Sequence, residues 1–145
     1  MYKCFTAACA FATLCAAASG IAQTVQADDA LYRGLGGKDG IRQIVKTLIP
    51  MIQADPRIKA SFQDSDMAQV AKHLGEQFCV LGGGPCKYTG KDMPTIHDGL
   101  NVTTAQFNAL TEDLQIAMER NDIPSRVQNK LVALLAPMHR DIVTK

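Results

Sequence analysis

At 145 residues, 47% of them hydrophobic, the chain can build one small domain with its own core but is too short for two of ordinary size. Its 15 Lys and Arg stand against 14 Asp and Glu, a balance that excludes a nucleic-acid footprint or a polybasic membrane surface.

Residues 1–27 read as a secretory leader. Lys3 is their only charge, an apolar stretch runs from Cys4 to Ala18, and Val25-Gln26-Ala27 offers cleavage after Ala27, with Ala22 as the alternative. So short a run falls below the roughly 20 residues that a spanning helix needs. Cleavage leaves residues 28–145 as one domain; without Lys3 it holds 14 basic and 14 acidic side chains, a formal net charge of zero. The expected location is therefore periplasmic or secreted, with no membrane attachment after cleavage. Of the 5 cysteines, Cys4, Cys9 and Cys15 go with the leader, and Cys79 and Cys86 remain. In an exported protein this pair, set across Gly82-Gly83-Gly84, favours a disulfide over a metal clip or two free thiols. Closing so short a loop is worth roughly 2 to 3 kcal/mol in the chain-entropy picture.

Ile41, Ile44, Val45, Leu48, Ile49 and Ile52 recur at the three-and-four spacing of one helical face. Pro50 should kink this helix or shift its hydrogen bonds, and Asp55-Pro56 should end it before a short turn carrying Ile58 and Phe62. Asp66 is the expected N-cap of a second helix with Met67, Val70, Leu74 and Phe78 facing the core. His73 lies beside that stripe. Gly82 to Gly90 is a loop by composition. Thr103-x-x-Gln106 and Ser125-x-x-Gln128 both have the form of a capping box. The helix after the first presents Phe107, Leu110, Leu114, Ile116 and Met118. The helix after the second presents Val127, Leu131, Leu134, Leu135 and Ile142, with a kink expected at Pro137. Strict apolar-polar alternation is missing, so the expected class is all-α.

Three histidines carry the chemical interest: His73, His97 and His139. Taken singly, each is more often a packed or surface residue than a ligand. His97 differs because it sits in a short helical turn after the glycine loop, flanked by Met93, Ile96 and Leu100. Such a turn suits a neutral imidazole held against a flat apolar cofactor.

The pattern becomes specific when these segments are taken together. Leu31-Tyr32 with Leu35-Gly36-Gly37, Ala54-Asp55-Pro56-Arg57 with Phe62, and Gly83-Gly84-Pro85 with Tyr88-Thr89-Gly90 occur in order. Met93 to His97 with Gly99-Leu100, then Ala136-Pro137 and Asp141-Ile142-Val143, complete the series. From Leu31 to Val143 the chain resembles the group 1 truncated haemoglobins. The resemblance implies a two-over-two helical sandwich holding haem b, with His97 as the proximal iron ligand. It implies Phe62, Val70, His73, Leu74, Tyr88, Met93 and Ile96 as further cofactor contacts, and a diatomic gas as ligand. A reductase is the redox partner such a protein would use, and a monomer is the expected state.

On the distal side, the expected pocket is Leu48, Ile49, Val70, His73 and Leu74. Leu48-Ile49 stands where many members of the family carry a phenylalanine-tyrosine pair whose tyrosine donates to bound oxygen. Val70 and Leu74 stand where polar residues are frequent. A missing donor of roughly 1 to 3 kcal/mol is a 5- to 150-fold loss in affinity. For His73 the resemblance leaves three readings: a sixth iron ligand, a contact to a haem propionate, or a surface residue. His139 matches a position joined covalently to a haem vinyl group in a few relatives; its sequence setting alone reads as a solvent-facing cation near a helix C-terminus. The competing function is a periplasmic haem carrier or electron-transfer protein with two histidines on iron.

Overall fold

The structure is a computed structural model that describes residues 28–145. Residues 1–27, the expected leader with its three cysteines, lie outside the described residues. Among those described, every regular element is helical.

Helix α1 (Ala30–Gly34) turns at once into α2 (Gly37–Ala54). The corner uses Gly36 and Gly37, whose φ values of 82° and 64° lie in the left-handed region that glycine enters without steric cost. Along α2 the expected face is buried at Ile41, Ile44, Val45, Leu48 and Ile52, and the helix continues through Pro50 to Ala54. Asp55 is extended, as a residue before proline should be, and it ends the helix. A single 3-10 turn (Lys59–Phe62) follows. Arg57, paired with both Asp55 and Glu112, ties this corner to a later helix.

Asp66 caps α3 (Met67–Leu81), accepting from the Ala68 and Gln69 amides at 2.9 and 3.2 Å. The helix stops at the glycine run, where a Cys79–Cys86 disulfide closes the turn. Helix α4 (Met93–His97) has Asp92 as N-cap and Pro94 in its first turn. The Thr103 capping box is complete at the head of α5 (Thr104–Glu119).

The second expected box is not formed. Pro124, not Ser125, occupies the N-cap of α6 (Ser125–Leu135), and Gln128 turns inward to donate to the Ile123 carbonyl at 2.7 Å. With proline fixing the entry, the serine sits one place inside the helix and has no orphan amide to accept from. A 3-10 turn (Ala136–Met138) containing Pro137 leads into α7 (His139–Ile142).

Helices α2 and α3 pack together, α5 and α6 pack together, α2 lies on α5, and α3 meets α6. That is the expected two-over-two sandwich, with α4 held against α7 at one end. The core runs through Leu35, Ile44, Leu48, Ile52, Phe78, Met118 and Leu131. Ile116 and Leu134, expected inside, are 39% and 43% exposed. Each departs from its helix's inward stripe: Leu114 and Met118 are buried on α5, and Val127 and Leu131 on α6.

Candidate functional site

A cavity opens at the end of the sandwich between α2, α3, α4, α5 and the C-terminal turns. Helix α3 supplies Val70, His73, Leu74, Gln77 and Phe78 to its wall; α4 and the turn after it supply Met93, Ile96, His97 and Leu100. Leu48 and Ile52 enter from α2, Ile58 and Phe62 from the following corner, and Phe107, Leu110 and Leu114 from α5. Leu135, Met138 and Ile142 close the far side.

His97 is oriented by its own helix. Its Nδ1 lies 2.9 Å from the Met93 carbonyl oxygen, four residues back. A carbonyl only accepts, so Nδ1 carries the proton and donates, and the Nε2 lone pair is left available as a metal ligand. Asp92 caps the same turn by accepting from the Thr95 amide at 2.9 Å. The Thr95 side chain first, and then its amide, hold the Asp92 carboxyl below its ordinary range.

His73, also on the cavity wall, lies against Tyr88 with ring centroids 5.8 Å apart and planes at 59°. Tyr88 itself lines the cavity and donates to the Lys91 carbonyl at 3.0 Å. Burial pushes its phenol pKa up, with Glu76 and Asp92 adding to the effect, so it stays a donor at neutral pH. The loop is fastened to α3 by Glu76, which accepts from the Thr89 amide at 2.9 Å and from its hydroxyl at 2.8 Å. Lys72 donates to the same hydroxyl at 3.0 Å. The Thr89 amide is the largest cause of the lowered Glu76 pKa.

Phe62, Val70, His73, Leu74, Tyr88, Met93, Ile96 and His97 thus lie together, as expected of one cofactor site. Ile49 does not. Leu48 and Ile52, one turn apart, face the cavity, whereas Ile49 lines a separate groove between α2 and α3. One residue is about 100° of helix rotation, so two adjacent α2 residues do not share one wall. His139 is likewise outside the cavity: its Nε2 is 3.2 Å from the Thr104 hydroxyl and its ring meets Phe107 edge-on at 5.1 Å.

Gln77 is a cavity residue that sequence reasoning passed over. Among the described residues its amide has only sulfur partners, Met138 at 3.3 Å and Met93 at 3.7 Å. The signal was available, because Gln77 continues the stripe of Val70, His73 and Leu74 at the same spacing. Gln106 was read as a cap; it does cap, and its amide also donates to Ser61 at 3.1 Å on the cavity wall.

Apolar walls around an imidazole whose Nδ1 is held by a carbonyl and whose Nε2 has no protein partner among the described residues fit a flat, mostly apolar macrocycle with a metal at its centre. The comparisons define the class. Residues 30–144 match the bacterial-like globin family, and the chain belongs to it, among the group 1 truncated haemoglobins. It is 28% identical over 115 residues to the group 1 truncated haemoglobin of Tetrahymena pyriformis, covering 79% of this chain and 95% of that one. Against the Synechocystis protein it is 30% identical over 121 residues, covering 79% and 98%. The crystal structure of the Tetrahymena pyriformis protein in its Fe(III) form superposes with a TM-score of 0.76, covering 79% of this chain and 98% of that one. The 2/2 haemoglobin of Synechococcus sp., with covalently attached haem, shares the fold at 21% identity and a TM-score of 0.73, with 79% and 98% covered. The chain is a haem globin, and its cofactor is haem b.

Proposed function

We propose that His97 holds the haem iron and that the protein binds a diatomic gas on the opposite, α3 side of the cofactor, outside the cytoplasm once residues 1–27 are removed. The observation that carries this is the hydrogen bond from His97 Nδ1 to the Met93 carbonyl, which fixes the ring and leaves Nε2 for a metal. Haem supplies an iron with a coordination position open to a small ligand. The chain supplies the rest: Met93, Ile96 and Leu100 form an apolar wall beside the imidazole, and Leu48, Val70 and Leu74 are apolar where α2 and α3 line the ligand side. Export is supported by the leader-like first 27 residues and by the Cys79–Cys86 bond, which suits an oxidising compartment.

A second reading rests on His73, which lines the same cavity from α3. If its ring reaches the iron, the protein is a bis-histidine haem carrier or electron-transfer protein. A visible spectrum of the purified ferrous protein separates the two. Gas binding as the function predicts a five-coordinate spectrum with fast carbon monoxide uptake. Two sharp low-spin bands with slow uptake would replace it with the bis-histidine reading.

A further inference from the structure

Between α2 and α3, on the side away from the histidines, runs a groove of about 740 Å³. Its floor is apolar and regularly built: Ile41, Val45 and Ile49 come from α2, and Met67, Ala71 and Gly75 from α3, each set at four-residue spacing. The small residues make the room. A Cβ built on Gly75 would meet no atom within 4 Å. From Met67 to Cys79 the α3 wall extends twelve residues, about 18 Å at the helical rise.

The rim is cationic. Lys38, Arg42 and Lys46 follow one another at four-residue spacing along α2, and Lys72 faces the groove from α3. Arg42 is paired with Asp39 at 2.9 Å, and Lys72 with Glu76 at 3.7 Å. Lys38 and Lys46 have no ion-pair partner among the described residues. Glu76 is the one carboxylate lining the groove, and Thr89 already occupies it. In a chain whose charges otherwise balance, one edge of an apolar slot therefore holds surplus positive charge.

We propose that this groove binds a single-chain anionic amphiphile, a fatty carboxylate, with its alkyl chain along the α2–α3 floor and its head on Lys38 and Lys46. The floor, apolar along about 18 Å of α3, suits an extended alkyl chain laid along it. Charge selects a carboxylate over a neutral lipid, because two exposed ammonium groups lie within reach of a head at the rim.

The test uses haem-loaded protein, so that the histidine cavity is filled, and dodecanoate below its micellar concentration in a titration calorimeter. One saturable site per chain is expected. Gly75→Phe should weaken binding at least tenfold by filling the floor, while a helix-interior glycine is lost at no cost to the helix. Lys38→Glu with Lys46→Glu should weaken dodecanoate about tenfold and strengthen dodecylammonium by a similar factor. This charge reversal decides the matter if Gly75→Phe loses its helical circular dichroism or Soret band. Absence of saturable binding, affinity unmoved by either variant, release of haem on titration, or binding to phosphatidylglycerol vesicles alone would each overturn the proposal.

Discussion

Asp113 is 6% exposed, and among the described residues its Oδ2 finds no hydrogen-bond partner. Burial raises its pKa above the ordinary 3.8, and the nearby Asp55 carboxylate raises it further. The folded protein therefore holds this proton more tightly than the unfolded chain does. The stability this contributes is complete below pH 3.8 and is lost as pH rises through the higher folded value. Asp113→Asn, which does not titrate, should accordingly stabilise the protein at pH 7 by about 1 kcal/mol, with the gain shrinking towards pH 3. Urea unfolding at the two pH values checks both sign and trend. The ligand pocket turns on single residues in the same way. Leu74→Gln places an amide on the cavity wall and should slow oxygen dissociation about 5- to 150-fold, read by stopped flow. Ile49→Tyr should leave that rate unchanged, since Ile49 faces the α2–α3 groove. Both Leu48 and Ile49 were legible as apolar helix residues. Which of two neighbours faces the cavity depends on how α2 is rotated against α3 and α5, and periodicity does not resolve 100°.

Glycine 40 shows how much an element can depend on one missing side chain. A Cβ there would lie 2.1 Å from the Leu35 carbonyl oxygen, part of the backbone of the α1–α2 corner. Gly40→Ala should cost about 3 kcal/mol, measured by urea unfolding of the haem-loaded protein, because the backbone would have to move. Gly75→Ala, in the open groove, should be neutral or stabilising. Helices α2, α3 and α5 were legible because each pairs a clear apolar stripe with a stop or cap signal: Asp55-Pro56, Asp66 and the Thr103 box. Helix α1 was not foreseen as a helix, since five residues are too few to show a period. The Glu76–Thr89 clamp joins residues 13 apart through a loop, and a periodic pattern carries no information about such a contact.

At the scale of the whole molecule, the two-over-two sandwich serves to bring α3 and α4 to one cavity. The chain between them is shortened by the Cys79–Cys86 bond and pinned by Glu76 and Lys72. Periodicity and caps reached only an all-helical domain; the two-over-two arrangement was legible through the resemblance to the group 1 truncated haemoglobins that the glycine and proline motifs carry. The groove between α2 and α3 was not legible, as it arises from two helices meeting across small residues. The central claim is that His97, fixed by the Met93 carbonyl, holds the iron. It is tested most directly by His97→Gly expressed and purified with haem supplied. Loss of the stoichiometric Soret band, and its return on adding imidazole to fill the vacated space, is the predicted result; a full Soret band without imidazole would contradict it.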